Sequence, residues 1–559
     1  MNKSNKILFV FIMIIFIVVY GPFILVGGFG PSDDLTYVEQ GLNGISGIDL
    51  AIKRLKLGTP FTGEDDVSAR PVSMIALSYA NVIFKDYPRP YIIIQLCIWL
   101  ATILLVSYTI KQILGSNVSM IFLLLSSFPI FASTTVFSSY YFAEYGLPVF
   151  FWALSLIFQY RYISNRKLYN YFLVYILLML GLLSLSIILP LLLVSAFLPI
   201  IYENELNGGS IKEDIFKLGV RYILPVVLVA FVFFVFKVYG TRLYNIDTMP
   251  KGLEAGIGLK SLIKSGYYFY VILFEVPIML IELIPHLGNW NVLICGILLL
   301  SYFVIIKSDR GTICLEGKRV HKRTEKQFIV LVLCSLACGT VVFFISGYPC
   351  VTFGYYNRML VPSFLLFSIL VSYLICKSIK NRWIYLSIVI SFLWISSMIV
   401  QINNFIESWE IRDKIYRDWT GKLNNVDLGP KPYILACVPF FTENNYNNEE
   451  VFFAHFYKDG LNLYGSPEID GQVISWRSIA RSDNYMTFLN FPEGFTKPSN
   501  LWYYEWDIKT KQSKFEKIIN QEQLDRKLLQ ININKINHHP IIMREKMLMK
   551  FRNLAMKNV

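Results

Sequence analysis

The chain has 559 residues, of which 55% are hydrophobic and only 16% are charged, and its mean hydropathy is +0.49. Soluble chains carry about 25% charged residues, so this composition excludes an ordinary soluble enzyme and indicates a membrane protein. The formal net charge is +13. Its positive residues cluster in alternate connections between apolar runs, which indicates membrane orientation and not a nucleic-acid partner.

The first apolar run, 7–29, is long enough to cross a bilayer and follows Lys3 and Lys6. It lacks a small-residue cleavage site, so it predicts a retained anchor with a cytoplasmic amino terminus. Two adjacent carboxylates, Asp33 and Asp34, follow the run on the outer side. An acid pair fixed at a membrane surface predicts a functional site, and the alternative is a solvated loop that ends the helix.

The first outer loop, 30–89, opens with acids, and its later basic residues include Arg70, Lys85 and Arg89. A carboxylate can deprotonate a hydroxyl as it attacks a carbon with a good leaving group. Basic side chains can neutralise a phosphate leaving group. The loop therefore predicts group transfer from a lipid phosphate to a hydroxyl. The alternative for Arg70 is snorkelling beside the segment 72–84, which is too short to cross the membrane.

Eleven runs have spanning length, and the number rises to twelve or thirteen if further apolar segments cross. The runs are 7–29, 90–110, 117–136, 145–163, 168–185, 187–203, 220–239, 290–306, 327–346, 359–376 and 383–402. The segment 266–284 is apolar enough to span, but a crossing there would move the basic cluster after Lys307 outside. We therefore interpret it as an interfacial helix in a second long outer loop, 239–290.

The sequence thus divides into a transmembrane domain, 1–402, and a carboxy-terminal domain, 403–559, which the parity of spans places outside. Strands are predicted at 433–441 and 501–508, and a helix at 521–553, which indicates a soluble α+β domain. Large aromatic residues in this domain have two interpretations, a core or a surface that stacks on acceptor sugars. They are Trp476, Trp502, Tyr503, Tyr504 and Trp506.

Several short motifs together resemble one family. The acid pair is followed by Ala69-Arg70-Pro71, by a helical hairpin at 177–193, and by an outer stretch that ends in Arg358 before Pro362. This order is similar to the GT-C superfamily of integral-membrane glycosyltransferases, in the bacterial type that uses polyprenyl-phosphate sugars, as in O-antigen and lipopolysaccharide-modifying glucosyltransferases. Two departures are Ala69 in place of a glycine and Ser184-Leu185-Ser186 where relatives often carry a lysine.

The resemblance implies an α-helical polytopic fold in a bacterial inner membrane, with a periplasmic carboxy-terminal domain. It implies hexosyl transfer from a polyprenyl-phosphate-linked donor to a cell-surface polysaccharide or glycolipid. On this basis Asp33 or Asp34 is the base. The candidate contacts to the donor phosphate are Arg70, Lys85, Arg89 and Arg358. No cofactor is implied, and one carboxylate pair is weak support for a divalent metal.

Two other functions stay open. A polysaccharide polymerase or ligase would depend on outer arginines, and the sequence has few outside the first loop and Arg358. A lipid-linked sugar flippase or transporter would need ionisable residues inside the spans. The acids in or beside the spans, Glu144, Glu275 and Glu282, lie near loop ends, which favours the transferase.

Overall fold

The computed structural model describes most of the helical segments and part of the carboxy-terminal region. The described residues are 3–29, 38, 41–42, 45–57, 70–137, 141–206, 215–243, 280, 290–308, 322–346, 360–378, 383–438, 461, 463–466, 469–475, 499–507 and 510–527. They fall into two compact units. The first comprises Met1–Gly28 and Gly41–Asn403, and the second comprises Phe29–Gln40 and Asn404–Val559.

The protein is mostly helical. The first nine helices among the described residues are α1 (Lys3–Val26), α2 (Gly47–Leu57), α3 (Pro71–Phe84), α4 (Pro88–Leu114), α5 (Ser116–Ser126), α6 (Thr134–Phe137), α7 (Leu147–Asn165), α8 (Leu168–Ser184) and α9 (Leu189–Leu206). They are followed by α10 (Ile215–Leu218), α11 (Leu224–Leu243), α12 (Trp290–Ser308), α13 (Lys322–Ser346), α14 (Val361–Ser378) and α15 (Trp383–Leu423). Single π-turns precede α7, at Phe142–Gly146, and α11, at Gly219–Ile223.

Six helices among the described residues are long and apolar enough to cross a membrane. They are Phe9–Val26, Pro88–Leu114, Phe142–Asn165, Ser186–Glu203, Phe216–Phe236 and Tyr385–Leu423. The fold is therefore that of a helical membrane protein. Helices also occupy the predicted runs at 168–185, 290–306, 327–346 and 359–376. Because these are shorter or less fully described, the count of eleven spans stays a prediction. The segment 266–284 lies outside the described residues.

The apolar run predicted as a span at 117–136 is not one continuous helix, because α5 ends at Ser126. Its 11 residues extend about 16 Å, well short of a hydrocarbon layer of about 30 Å. Pro129 cannot donate a backbone hydrogen bond and crowds the carbonyl one turn earlier. The hydroxyls of Ser126 and Ser127 bond back to the carbonyl oxygens of Phe122 and Leu123, at 2.6 and 2.7 Å. Hydropathy does not detect these helix-ending features.

The chain after α5, residues 127–133, is a buried bend whose carbonyl groups need partners. Side chains from three helices of the first unit, α1, α4 and α15, donate hydrogen bonds to carbonyl groups of the bend and of the residues beside it. Tyr20 donates to Ser127, Gln95 to Thr135, Trp99 to Ser126, Trp394 to Phe128 and Gln401 to Ile130, at 2.7–3.1 Å. The irregular backbone is thus stabilised inside protein.

The predicted hairpin at 177–193 is confirmed. Helix α8 ends at Ser184, a short 3₁₀ turn covers Ser186–Ile188, and α9 begins at Leu189. Gly181 allows the close approach, because a Cβ there would lie 2.7 Å from Cδ1 of Ile188 and 3.2 Å from the carbonyl oxygen of Pro148. The hairpin therefore packs directly beside the start of α7.

The second unit contains a four-stranded mixed sheet in the order β2-β1-β3-β4. Its strands are β1 (Tyr433–Cys437), β2 (Gln472–Ser475), β3 (Leu501–Asp507) and β4 (Gln512–Ile518). Strand β1 runs parallel to β2 and β3, and β4 is antiparallel to β3. Strands are thus confirmed within both predicted regions. Of the predicted helix, only 521–527 is described, and it is helical.

The aromatic residues of β3 form the core of this sheet. Tyr503 and Tyr504 are 1% and 0% exposed, and Trp502 and Trp506 are also buried. The Tyr504 ring stacks on Trp419 of α15, with centroids 4.3 Å apart and planes 2° apart. The interpretation as a sugar-stacking surface is therefore wrong for these four residues. Trp476 lies outside the described residues.

Candidate functional site

Arg70 lies at the amino terminus of helix α3, the end at which the helix dipole is positive. Pro71 occupies the first helical turn, where its missing N–H costs nothing, and Arg70 is the preceding cap residue, with φ −131° and ψ 46°. The carbonyl of Arg70 accepts the first helical bond, from the N–H of Met74 at 3.1 Å. The amino terminus of a helix carries partial positive charge, which repels the cationic side chain of Arg70. A nearby anion is needed to offset this repulsion.

Glu144 supplies that anion. Its Oε1 lies 3.4 Å from Nη1 of Arg70, and the side chains are 5% and 16% exposed respectively. The distance exceeds the 2.7–2.9 Å typical of a charge-assisted hydrogen bond, so this is a loose ion pair. A guanidinium carries five N–H donors in a planar fork, which is enough to serve Glu144 together with further acceptors.

The π-turn that carries Glu144 has a local cause. The N–H of Leu147 bonds to the carbonyl of Phe142, which leaves the Ala143 carbonyl to the next residue in the π pattern. That residue is Pro148, which has no N–H. The hydroxyl of Ser73 takes its place, with Oγ 2.7 Å from the carbonyl oxygen of Ala143.

The same serine reaches the hairpin. Oγ of Ser73 lies 2.8 Å from the carbonyl oxygen of Ser184, at the end of α8. Ser73 and Ser184 are fully buried. Three segments distant in sequence therefore meet at one hydroxyl, one turn after Arg70. We call Arg70, Ser73, Glu144 and Ser184 the Glu144 cluster.

The predicted site residues divide into three groups. Asp33, Asp34 and Arg358 lie outside the described residues, as do three further acids of the first outer loop, Glu64, Asp65 and Asp66. Arg70 lies in the Glu144 cluster. Lys85 and Arg89 lie beyond the far end of α3, whose 14 residues extend about 21 Å. One phosphate cannot contact both Arg70 and Lys85, so the predicted contacts do not form a single site.

Lys85 and Arg89 both have structural partners. Lys85 ends α3 with a left-handed φ of 51°, and its N–H bonds to the carbonyl of Asn81 at 2.9 Å. Nη2 of Arg89 donates to the carbonyl oxygen of Leu25 at 2.7 Å, which satisfies one of the last carbonyls of α1. Gly27, with φ +62°, allows this approach, since a Cβ there would lie 2.9 Å from Cγ of Arg89. Arg89 is thus part of the scaffold at the end of α1, whereas the backbone of Lys85 ends α3.

The chain just before the acid pair is anchored within the second unit. The carbonyl of Phe29 accepts a hydrogen bond from Nη2 of Arg412, and its ring meets Trp409 edge-on at 6.2 Å. Arg412 is 1% exposed, and its guanidinium lies 4.9 Å from the Trp409 ring centroid. Phe29 is thus fixed four residues ahead of Asp33.

A second buried glutamate lies at the opposite end of α7. Glu203 is 3% exposed and its Oε1 accepts hydrogen bonds from Arg166 and from the Tyr222 hydroxyl. Nη1 of Arg221 lies 3.5 Å from the same oxygen. We call Arg166, Glu203, Arg221 and Tyr222 the Glu203 cluster. Burial lowers the pKa of Arg166, but the hydrogen bond and charge of Glu203 outweigh it, so the pKa is raised overall.

Sequence reasoning gave neither buried glutamate a role. The sequence does show that each glutamate lies at the end of an apolar run. Ionisable residues in or beside membrane spans often mark functional sites, so this position was the available signal. Their partners could not be found that way, because Arg70 and Glu144 are 74 positions apart and join only through tertiary packing.

Among the described residues, no group of three or more His, Cys, Asp or Glu side chains could hold a metal ion. A metal at the acid pair stays untested by this observation. No protein-family profile matches the chain, and no curated protein is significantly similar to it. The function must therefore be argued from the site itself.

Proposed function

We propose that this protein is a membrane glycosyltransferase that transfers a sugar from a polyprenyl-phosphate carrier to a cell-surface polysaccharide or glycolipid. The observation that carries the proposal is Arg70, held by buried Glu144 at the start of a short apolar helix. A guanidinium at that position suits a phosphate attached to a membrane-embedded chain, because the carrier keeps its phosphate at the surface of the bilayer.

The reaction assigns a separate role to each group. The acceptor hydroxyl gives its proton to Asp33 or Asp34 as its oxygen bonds to the anomeric carbon. The bond from that carbon to the phosphate oxygen breaks, and its electron pair leaves with the polyprenyl phosphate. Arg70 stabilises the negative charge that grows on this leaving group. Glu144 and Ser73 act through Arg70 and are positioning residues.

The charge pattern supports an outer location for the Glu144 cluster. Helix α7 has 19 residues and extends about 28 Å, close to the thickness of a hydrocarbon layer. Its far end carries Arg161, Arg166 and Lys167, which favours the cytoplasmic side there and the extracytoplasmic side at Glu144. In the proposed topology the protein lies in a bacterial inner membrane, with the amino terminus cytoplasmic and the domain 403–559 periplasmic.

Two experiments test the proposal. A topology reporter fused after Val559 should be active outside the cytoplasm, and one inserted near Arg319 should be active inside. A cytoplasmic signal after Val559 would contradict the topology. Mass spectrometry of envelope polysaccharide should then reveal a sugar-sized mass that disappears when the chain is deleted. That mass should return with the wild-type chain and with Lys53→Ala, an exposed basic residue of the first outer loop, and should return at a clearly lower level with Arg70→Ala. Unchanged polysaccharide after deletion would contradict the transferase.

A further inference from the structure

Two buried glutamines form a hydrogen bond through the nitrogen of the carboxamide but not through its oxygen. Nε2 of Gln95, on α4, donates to the carbonyl oxygen of Thr135 at 2.7 Å. Nε2 of Gln159, on α7, donates to the carbonyl oxygen of Ser195 at 2.8 Å. Among the described residues, Oε1 of each glutamine has no hydrogen-bond partner. Gln95 is fully buried and Gln159 is 4% exposed.

A hydroxyl group in the same condition lies beside each glutamine. It belongs to the residue whose carbonyl oxygen the glutamine binds. Oγ1 of Thr135 and Oγ of Ser195 are buried, and neither has a hydrogen-bond partner in the part of the chain that the structure describes. The same arrangement thus occurs twice, between α4 and α6 and between α7 and α9. We call Gln95 with Thr135 the Gln95 pair, and Gln159 with Ser195 the Gln159 pair.

The orientation of each carboxamide follows from its carbonyl partner. Exchange of the amide oxygen and nitrogen would bring two oxygen atoms, both acceptors only, to 2.7 or 2.8 Å from each other. Oε1 therefore points away from that carbonyl, and it needs an N–H or O–H donor. A buried acceptor without a donor costs free energy, and the hydrocarbon of a membrane supplies no donor.

The Gln95 pair adjoins the π-turn that carries Glu144. A Cβ on Gly146, the last residue of that turn, would lie 3.0 Å from Oε1 of Gln95 and 3.2 Å from Cγ2 of Ile98. Because glycine has no side chain, the oxygen can face the turn at close range. The Gln159 pair lies nearer the other end of α7, so the two pairs are separate sites.

We propose that each pair holds one ordered water molecule, which donates to Oε1 of the glutamine and bonds to the neighbouring hydroxyl. Buried water in proteins typically makes about three hydrogen bonds to polar groups that would otherwise be unsatisfied. Water suits both groups, since it donates to an oxygen that only accepts and can donate to or accept from a hydroxyl. A cation suits them less well, because neither pair contains a carboxylate. Both sites are independent of the proposed transfer chemistry.

The first test is thermal unfolding of the full-length protein in detergent, because a bound water and an empty site predict different signs. Thr135→Val and Ser195→Ala each remove the hydroxyl of one pair. With a water bound, each variant leaves that water with fewer partners, and Tm should fall by about 2 °C. Without one, removal of an unsatisfied buried hydroxyl should leave Tm unchanged or raise it. That result overturns the proposal for the pair concerned.

The matched controls are two buried hydroxyls that bond back within their own helices. Oγ1 of Thr102 donates to the carbonyl oxygen of Ile98 at 2.8 Å, and Oγ of Ser372 donates to that of Ser368 at 2.7 Å. Thr102→Val and Ser372→Ala should keep the wild-type Tm, because the helical N–H groups still satisfy these carbonyls. An equal fall in the controls would attribute the effect to the loss of any buried hydroxyl and overturn the inference.

The second measurement needs no variant to fold. It is a density map of the wild-type protein from electron cryomicroscopy, at a resolution that shows ordered water. We expect a peak about 2.8 Å from both Oε1 and the hydroxyl oxygen of each pair. A pair without a peak, in a map that shows ordered water elsewhere inside the protein, overturns the proposal for that pair.

Discussion

The Glu144 and Glu203 clusters both place a buried glutamate beside arginine, but they differ in how far the arginine is exposed. Oε1 of Glu144 lies 3.4 Å from Nη1 of Arg70, and both side chains are largely buried. Glu203 is equally buried, but the two arginines that meet its Oε1, Arg166 and Arg221, are 49% and 33% exposed. The comparison teaches that a buried glutamate can hold one arginine inside the protein and can also fix arginines whose side chains stay open to their surroundings.

The largest expected effect concerns the acid pair to which we assign the role of base. Asp34→Asn or Asp33→Asn keeps the shape of the side chain but removes the base, so at least one should lower the transfer rate by roughly 10² to 10⁴. The measurement is the rate with a reconstituted lipid-linked sugar donor. Asp49→Asn, an exposed acid of the same loop, should keep the rate. Normal transfer by both single variants and by the double variant would remove the acid pair from the mechanism.

The second effect separates the two ends of α3. Arg70→Ala should weaken use of the donor by about 2 kcal/mol, or about thirtyfold in kcat/KM, because a charge-assisted phosphate contact is lost. Lys85→Ala should stay within about twofold, as exposed substitutions usually do. Donor titration of the two variants checks this. A larger loss in Lys85→Ala than in Arg70→Ala would move the phosphate site to the far end of the helix.

The third effect probes the stability of the Glu203 cluster. Glu203→Gln leaves two arginines without their shared charge and should lower the free energy of unfolding by about 2 kcal/mol. Thermal unfolding in detergent measures it. Glu522→Gln removes an exposed pair with Arg526, 3.0 Å apart, and should cost about 0.5 kcal/mol or less. Equal shifts in the two variants would show that the Glu203 cluster contributes no more than a surface pair.

The smallest effect concerns the hydroxyl that joins three segments at Glu144. Ser73→Ala removes the donor to a buried carbonyl and should cost about 1 kcal/mol of stability. Ser301→Ala is the matched control, since Ser301 bonds back within its own helix, to Ile297 at 3.0 Å. It should be nearly silent in the same unfolding measurement. A silent Ser73→Ala would mean that the π-turn does not need this hydroxyl.

Most helices and two strand regions were predictable, because long apolar runs and alternating patterns follow from local sequence. A continuous helix over 117–136 was not found, because helix termination there depends on Pro129 and two serines, which hydropathy averages over. The bend that follows is stabilised by Trp394 and Gln401, more than 260 positions away. Such partners are invisible to a local pattern.

The candidate site was predictable only in part. Arg70 was found from its motif, but its partner Glu144 was assigned to a loop end, and the four predicted phosphate contacts were treated as one group. Arg70 lies at one end of α3, and Lys85 and Arg89 lie beyond the other end. They are far apart only because α3 is one continuous helix. Asp33, Asp34 and Arg358 stay predictions from sequence.

The most direct test of the central claim is a double-mutant cycle on Arg70 and Glu144, measured as kcat/KM for the lipid-linked sugar donor. If Glu144 acts by holding Arg70, Glu144→Gln should lower kcat/KM by about tenfold or less, and Arg70→Ala should lower it by about thirtyfold. The double variant should then match Arg70→Ala. Independent, multiplying effects, or an unchanged kcat/KM in Arg70→Ala, would contradict the assignment of Arg70 to the donor phosphate and of Glu144 to its positioning.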